Sequence, residues 1–330
     1  MKSSNQRSRW GLGAAAATAL VLTLSACGNG EPDQSTADNG ELTPIEVGVI
    51  PIGDVASIYV GQQEGIFEDH GIDLTLTQAQ GGAAIVPGVQ SGDLDFGYSN
   101  VTSLVISRAQ GLPLKAVATG PQTTGSPDED FSAVMVDPDS GIESITDLEG
   151  QRVAVNTLNN IFDSVISEGL EQAGGDPNQV EFVELAFPDM VPQLEAGNVD
   201  AISAVDPFAV VGDEAGLERI YGPFSEPVED LSIGAYFTTE QQIAENPELV
   251  ERFTAAMKDS QAFSEENPEI VREVIAEYTT TEPEILEKTT LPRFPQDHHR
   301  DSLQHIIDIS DRIGLIDEPI EVEDLLTDDA

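Results

Sequence analysis

The feature that most constrains this chain is a regular alternation of strand and helix patterns that begins at Ile45. Short runs rich in Val and Ile alternate with longer segments whose apolar residues recur at helical spacing. This alternation predicts crossover units on a mostly parallel sheet. It pauses after Pro138 and then repeats, which predicts a second sheet. The predicted strands are 45–50, 72–76, 94–98 and 114–119, then 152–155, 180–185 and 201–205, and the predicted helices between them are 56–64, 83–91, 101–110, 161–173 and 190–196.

Two further apolar runs, 131–136 and 231–237, predict strands that cross between the two halves and act as hinges. The chain after Asn246 is predicted to be helical and to pack on the first half, because Asn-Pro pairs favour helix starts there. The acidic end, 321–330, is predicted to be solvated. The resulting fold class is α/β with two lobes and a two-strand hinge. We expect residues 44–136 plus 235–330 in lobe 1 and 137–234 in lobe 2.

The N-terminus has the pattern of a cleaved export signal. Lys2, Arg7 and Arg9 precede an apolar run, 11–24, which is too short to span a membrane because spanning takes roughly 20 apolar residues. The run ends at Leu24-Ser25-Ala26-Cys27, which resembles a bacterial lipobox. That resemblance implies that residues 1–26 are a lipoprotein signal peptide and that Cys27 is acylated. The alternative is an ordinary secretory signal with Cys27 unmodified.

The segment that follows, 27–43, has almost nothing apolar to bury and predicts a disordered tether. The rest of the chain, roughly 290 residues, exceeds the size at which one core stops growing, which favours two lobes. Because Cys27 is the only cysteine, the body has no disulfide. A lipid, a tether and a globular body together describe a monomeric receptor held at the outer face of a cell membrane.

The charge balance is strongly acidic. The chain carries 60 acidic and 14 basic residues, a net charge of −46. Nucleic acid is excluded as a partner, because phosphate backbones are bound by clustered Lys and Arg. The charge is better explained by solubility in concentrated salt than by attraction of cationic ligands, because net charge governs solubility more than it governs one site.

A series of short motifs follows in the order found in one transporter family. The motifs include Gly65-Ile66-Phe67, Gly81-Gly82, Gly92-Asp93-Leu94-Asp95-Phe96-Gly97 and, in the second half, Gly197-Asn198-Val199-Asp200-Ala201. The series resembles substrate-binding proteins of ABC importers for nitrate, sulfonate, taurine and thiamine precursors. The resemblance implies a type II periplasmic-binding-protein fold whose lobes close on a small molecule. It also implies delivery to a permease driven by a cytoplasmic ATPase, with no cofactor.

Ligands of open α/β sheets bind at the carboxyl ends of the strands, where helix N-termini offer free N–H groups. This rule and the resemblance select positions in the loops of both halves and on the return hinge. The predicted ligand-binding residues are Asp54, Val55, Gly81, Gly82, Ser99, Asn100, Thr119, Asn159, Asn160, Asp206, Phe208 and Tyr236.

Each of these positions also has a purely structural explanation. The glycine pair can supply turn geometry alone, and Ser99, Asn100, Asn159 and Asn160 can simply cap helices. Many members of the family carry Gly-Ser where this chain has Asn159-Asn160, which leaves the ligand's identity open. The sequence Asp206-Pro207-Phe208 resembles an acidic-Pro-aromatic turn of the family, and such a turn can be structural. Aromatic residues such as Tyr236 are more often core than ligand contacts.

The ligand's charge stays open at this stage. No Arg or Lys falls in these loops, so an anion would be held by N–H groups and helix dipoles. Asp54 and Asp206 instead leave room for an amine or a heterocycle that donates hydrogen bonds.

Two competing function classes remain. An enzyme similar to a thiamine-pyrimidine synthase would use a cysteine-rich motif, which this body lacks. A metal site is not expected from His70, His298, His299 and His305, because their spacing does not bring them together. A non-transport signalling or adhesion lipoprotein would need no cleft, and a closed, dry interface between the lobes would favour it.

Overall fold

The computed structural model describes residues 42–228, 230–279 and 281–327. The predicted signal peptide, Cys27 and nearly all of the predicted tether lie outside these residues. Strands and helices alternate as the sequence predicts. The strands are β1 (Thr43–Val49), β2 (Ile72–Gln78), β3 (Phe96–Asn100), β4 (Leu114–Thr119), β5 (Ser132–Val136), β6 (Arg152–Val155), β7 (Glu181–Glu184), β8 (Ala201–Val205), β9 (Glu218–Tyr221) and β10 (Gly234–Thr239).

The helices pack on both faces of the sheets and extend the chain beyond β10. In chain order they are α1 (Ala56–Gln63), α2 (Ile66–Asp69), α3 (Gly82–Ser91), α4 (Val101–Ala109), α5 (Ile161–Gln172), α6 (Phe187–Glu195), α7 (Phe208–Glu214), α8 (Glu240–Glu245), α9 (Pro247–Glu266), α10 (Pro268–Thr279), α11 (Pro283–Leu286), α12 (Arg300–Arg312) and α13 (Val322–Leu325). Within the described residues, no helix combines the length and the apolarity needed to cross a membrane.

The strands form two five-stranded sheets of matching design. The first has the order β2-β1-β3-β10-β4 and the second the order β7-β6-β8-β5-β9. In each sheet one strand runs against its neighbours: β10 is antiparallel to β3 and β4, and β5 is antiparallel to β8 and β9. The central strands β3 and β8 are buried at every position, as expected for strands covered by helices on both faces. The predicted pair of α/β lobes is confirmed.

The position of β5 corrects the predicted lobe boundary. We expected residues 44–136 in the first lobe, but β5 pairs within the second sheet. All five residues of β5 are buried, and such an apolar run can pair in either sheet, so the pattern alone does not select its partners. The chain therefore leaves the first lobe before Ser132.

The chain crosses between the lobes in the stretches that lead into β5 and β10. The two crossings are hydrogen-bonded to each other as an antiparallel pair. The Thr123 N–H donates to the Leu231 carbonyl over 2.9 Å, and the Ile233 N–H donates to the Pro121 carbonyl over 3.0 Å. The predicted two-strand hinge is thus present. Its first crossing lies earlier in the chain than the predicted strand 131–136, and its second lies within the predicted strand 231–237.

The acidic end of the chain is not simply solvated, which corrects a second prediction. Val322, Leu325 and Leu326 are buried, and Leu326 forms a parallel bridge with Ala116 of β4. The ammonium of Lys115 donates to the Leu326 carbonyl over 2.9 Å. The apolar residues of α13 are spaced to face the first lobe while its acidic residues face water, a pattern that net charge conceals.

Candidate functional site

The two lobes meet where β1 and β8 end. The Gly53 N–H, directly after β1, donates to the Asp206 carbonyl over 3.3 Å. Nearby, Gly81 lies against Thr157 so closely that a Cβ on this glycine would fall 2.5 Å from Thr157 Cγ2. These contacts join the carboxyl ends of strands from both sheets, the edge at which open α/β sheets bind ligands.

A cavity of about 330 Å³ lies between the lobes at this edge. Its volume is in the range of small-molecule sites. The rings of Phe187 and Phe208 stack with centroids 5.6 Å apart and form an aromatic wall on the second lobe. The first lobe contributes the segments after β1 and β2. The lining residues are Ile50, Pro51, Ile52, Gln78, Ala79, Gln80, Ala186, Phe187, Pro188 and Phe208.

The N-terminus of α3 presents a polar corner at the ends of β2 and β3. Gly81 precedes the helix in extended backbone, and no side chain caps it. Ser99 packs so tightly here that a Cβ on Gly82 would fall 1.9 Å from Ser99 Oγ. This hydroxyl is fully buried and has no hydrogen-bond partner. A positive helix end beside an unpartnered hydroxyl is suited to an anion or a hydrogen-bond acceptor.

Asp54 lies in the single turn between β1 and α1. Its side chain is buried, and Oδ1 has no hydrogen-bond partner in the part of the chain that the structure describes. The hydroxyl of Tyr98 lies 3.5 Å from Oδ2, at the outer limit of a hydrogen bond. Burial raises the pKa of Asp54 to about 7, while the Asp54 backbone N–H and Tyr98 lower it to a smaller extent. Val55 is completely buried in the core behind this carboxyl.

Tyr98 and Tyr236 stand side by side on paired strands, with ring centroids 5.3 Å apart. Both rings are fully buried, and burial raises the pKa of both phenols. The Tyr236 hydroxyl makes no hydrogen bond of acceptable geometry, although Ser57 lies beside it and lowers its pKa slightly. The structure thus buries Tyr236 against Tyr98, and Tyr236 does not line the cavity.

Two predicted residues of the first lobe have structural partners. The Asn100 side chain accepts a hydrogen bond from the Ser103 N–H over 2.9 Å and caps α4. The Thr119 hydroxyl is buried and donates to the Gly120 carbonyl over 3.3 Å. Both lie at strand ends near the hinge, as predicted.

The asparagine pair of the second lobe is used within that lobe. Asn160 is completely buried, accepts from the Phe162 N–H over 2.7 Å, and donates to Asn156 and Thr157. Asp163 completes a capping box for α5. Asn159 adopts a left-handed backbone with φ of 54°. These bonds use the polar groups of Asn160 inside the lobe, which matches the capping explanation.

Asp206 joins the second lobe to the C-terminal region. Its Oδ2 accepts from the Thr290 N–H over 2.7 Å, and the Arg219 guanidinium lies 3.8 Å from Oδ1. Burial raises the pKa of Asp206 to about 7, while Thr290 and Arg219 lower it to a smaller extent. The peptide bond to Pro207 is cis. The turn aims Phe208 at the cavity.

The structure therefore brings the predicted residues to one edge but lines the cavity with few of them. Among the predicted residues that the structure describes, only Phe208 lines the cavity. Asp54, Gly81 and Ser99 lie near the contacts that join the strand ends of the two lobes. Sequence reasoning missed the lining segments 50–52, 78–80 and 186–188. The same strand-end rule finds them, because they lie at or just after the ends of β1, β2 and β7.

Comparison with known proteins adds a family to this geometry. The NMT1/THI5 like family matches residues 53–270, which include parts of both lobes and most of the cavity lining. The chain belongs to this family.

Curated relatives of this NMT1/THI5-like chain include both binding proteins and an enzyme. A putative binding protein of Brucella abortus is 25% identical over 78% of this chain and 77% of its own length. The taurine-binding periplasmic protein of Escherichia coli is 24% identical over 64% of each chain. A 4-amino-5-hydroxymethyl-2-methylpyrimidine phosphate synthase of Candida albicans is 23% identical over 68% of this chain and 67% of its own.

Solved structures confirm the fold. The periplasmic aliphatic sulphonate binding protein of Escherichia coli superposes with a TM-score of 0.69 at 14% identity, over 86% of this chain and 92% of its own. The periplasmic nitrate-binding protein of Synechocystis gives a TM-score of 0.72 at 12% identity, over 88% of this chain and 87% of its own. The expected periplasmic-binding-protein fold, with two α/β lobes and a hinge, is therefore present.

Proposed function

We propose that this chain is the extracytoplasmic solute receptor of an ABC importer, which binds a small molecule between its lobes and delivers it to a permease. The observation that carries the proposal is the cavity of about 330 Å³, which is lined by strand-end segments of both lobes. A solute that touches both walls stabilises the closed form through its differential affinity for that form. Sulfonate, nitrate and taurine receptors among the relatives and structural neighbours support the same class.

Two alternatives fit the cavity less well. A pyrimidine synthase is among the relatives, but the only cysteine of this chain is Cys27, so the body lacks the cysteine-rich motif expected of such an enzyme. A signalling or adhesion lipoprotein needs no cleft. An open space between the lobes, walled by stacked aromatic rings, favours a receptor.

The receptor proposal is tested by ligand-induced stabilisation of the full-length protein in mild detergent and high salt. A solute that binds only the native state raises the midpoint of thermal unfolding by mass action. The panel contains sulfonates, taurine, nitrate, thiamine precursors and amines. We expect at least one class to raise the midpoint, and Phe208→Ala to weaken that effect.

The matched control is Val211→Ala, because Val211 lies on the same helix as Phe208 and is 37% exposed. This variant should respond to the solute as the wild type does. If Phe208→Ala and the wild type responded equally to the solute, the solute would not bind in this cavity.

Membrane attachment through Cys27 is a separate part of the proposal. Stable anchoring takes more than one acyl chain, each CH₂ contributing about 0.8 kcal/mol. We expect the mature protein to begin at an acylated Cys27 and to sediment with membranes. A Cys27→Ser variant should be released into the soluble fraction. Intact mass of the purified protein decides between this and an unmodified Cys27.

A further inference from the structure

Asp54 has fewer polar partners than the other buried carboxylates. Asp206 also has an oxygen without a hydrogen bond among the described residues, Oδ1, but its Oδ2 accepts from the Thr290 N–H and the Arg219 guanidinium lies 3.8 Å from Oδ1. Asp130 accepts from Ser132 and Phe224 backbone N–H groups and from the Ser132 and Ser225 hydroxyls. Asp163 accepts from two backbone N–H groups at the start of α5. These carboxylates have partners of the kind that buried charges need.

Asp54 has no such set of partners. Asp54 is 3% exposed, and among the described residues its Oδ1 has no hydrogen-bond partner and the Tyr98 hydroxyl, 3.5 Å from Oδ2, is its only side-chain hydrogen-bond partner. No described Lys, Arg or His lies within ion-pair distance of it. A buried carboxyl without partners costs stability, and such a cost is retained where a bound group compensates for it.

Three tyrosines lie near this carboxyl. The titratable groups that face Asp54 are Tyr98 on β3, Tyr236 on β10 and Tyr278 on α10. The Tyr278 hydroxyl donates to the Ile52 carbonyl over 2.8 Å, and Ile52 itself lines the cavity. A carboxylate among aromatic faces favours a cation, because the ring quadrupole attracts positive charge as the carboxylate does.

The position of Asp54 connects it to the cleft. Gly53, the preceding residue, makes the inter-lobe hydrogen bond to Asp206, and Ile52 belongs to the cavity wall. Separation of the lobes would break this Gly53 contact, at the residue next to Asp54. A solute entering the open cleft would then reach the carboxyl before the lobes close again.

From this geometry we propose that Asp54 binds a cationic nitrogen of the solute, the N–H group of a protonated amine or an amidine, and that the solute is not a simple anion. This inference rests on the receptor function proposed above. The closed lobes bury the ion pair, and the donated N–H supplies the partner that Oδ1 lacks.

The test uses matched probes on the full-length protein in mild detergent. Benzylamine, benzamidine and ethylamine are compared with benzenesulfonate, benzoate and ethanesulfonate by thermal unfolding and calorimetric titration. Moderate salt screens nonspecific attraction of cations to the acidic surface. We expect at least one cation to bind at one site and Asp54→Asn to weaken it at least tenfold. The control Asp73→Asn removes an exposed carboxylate of the same lobe and should leave binding unchanged.

A second measurement needs no variant. Benzamidine stays cationic between pH 5 and 8, so a change in its affinity over this range reflects the titration of a group on the protein. Burial raises the pKa of Asp54 to about 7, and the affinity should therefore rise as the pH increases through this value.

The outcomes distinguish failure of the Asp54 cation site from failure of the proposed receptor function. Binding of an anion that Asp54→Asn leaves unchanged or strengthens overturns the cation site and leaves the receptor function standing. Binding of a cation with an affinity that changes neither in Asp54→Asn nor with pH also overturns the cation site. Absence of any stabilisation by either class, and by the wider panel above, counts against the receptor function itself.

Discussion

The two walls of the cleft are built differently. On the first lobe, polar groups near the strand ends lack partners, notably Asp54 Oδ1 and Ser99 Oγ. On the second lobe, Asn160 and Asp163 bond to the start of their own helix, and the wall offered to the cavity is aromatic. Asp206 of the second lobe also has an oxygen without a hydrogen bond among the described residues, Oδ1, but its Oδ2 accepts from the Thr290 N–H and the Arg219 guanidinium lies 3.8 Å from Oδ1. This contrast indicates a division of roles. We propose that the first lobe carries polar recognition groups and that the second lobe closes over them with an apolar face.

Asp54→Asn should have the largest effect on this contrast. Without ligand, we expect the substitution to raise the free energy of unfolding. The folded pKa of about 7 lies above the ordinary value of 3.8, so the native state holds a proton that the unfolded state has lost. Stability therefore falls as the pH rises from about 4 through 7, by at most about 4 kcal/mol. We expect the variant to be more stable than wild type at pH 8 and to show a flatter profile. Chemical unfolding at several pH values measures this.

Asp73→Asn serves as the control for the pH profile, since Asp73 is exposed and should leave the slope as in wild type. Asp206 and Asp163 also have raised pKa values, of about 7 and about 6, and keep part of the slope in every variant. An Asp54→Asn protein less stable than wild type at pH 8 would make Asp54 a structural residue.

The next largest effect is expected from Gly82→Ala, which introduces a steric clash at the start of α3 on the first lobe. In Gly82→Ala the new Cβ would fall 1.9 Å from Ser99 Oγ and 2.8 Å from Ser99 Cα, so the backbone must move. Overpacking of this kind costs about 1–3 kcal/mol and displaces the start of α3. We expect a lower midpoint of unfolding and loss of solute binding. Ser99→Gly in the same chain should restore much of the stability, and failure to do so would place the strain elsewhere.

The second-lobe asparagines test whether that wall is structural. Asn160→Ala removes the cap of α5 and two buried donor contacts, at a cost of about 2 kcal/mol. Asn159→Gly should be nearly neutral, because φ of 54° suits glycine. Denaturant unfolding compares the two. A strong loss of binding in Asn159→Gly with unchanged stability would restore Asn159 as a ligand contact.

The smallest expected effect concerns the bridge formed by α12, which packs on α4 of the first lobe and α5 of the second. Arg312 pairs with Glu168 and, over 2.9 Å, with Glu171. The Arg312 side chain is 43% exposed, so the pairs contribute a few tenths of a kcal/mol to about 1 kcal/mol and weaken in salt. We expect Arg312→Ala to shift the lobes toward the open form at low salt, measured as a larger radius of gyration. An unchanged radius of gyration would show that these ion pairs of α12 do not hold the lobes together.

Much of the fold follows from the sequence because strand and helix periodicities differ and alternate. The strands and helices from β1 to β8 lie close to their predicted positions, and the return strand β10 is present. Lobe assignment of β5 could not be predicted, because its buried apolar run fits either sheet. Packing of Val322 and Leu325 was hidden by the acidic residues around them.

The candidate site was predicted in part for a similar reason. The strand-end rule located Asp54, Ser99 and Phe208, because sequence shows where strands stop. It could not show that Asn160 makes its hydrogen bonds within the second lobe or that Tyr236 is buried outside the cavity lining, because side-chain partners depend on tertiary packing. The ligand-binding roles of the twelve residues stay predictions.

The most direct test of solute binding between the lobes is calorimetric titration of the compound that gives the largest thermal shift, carried out on wild type, Phe208→Ala and Asp54→Asn. We predict one solute per protein in the wild type and at least tenfold weaker binding in both variants, because one residue comes from each wall. Wild-type affinity and stoichiometry in both variants would place the solute outside the cleft and contradict the proposed site.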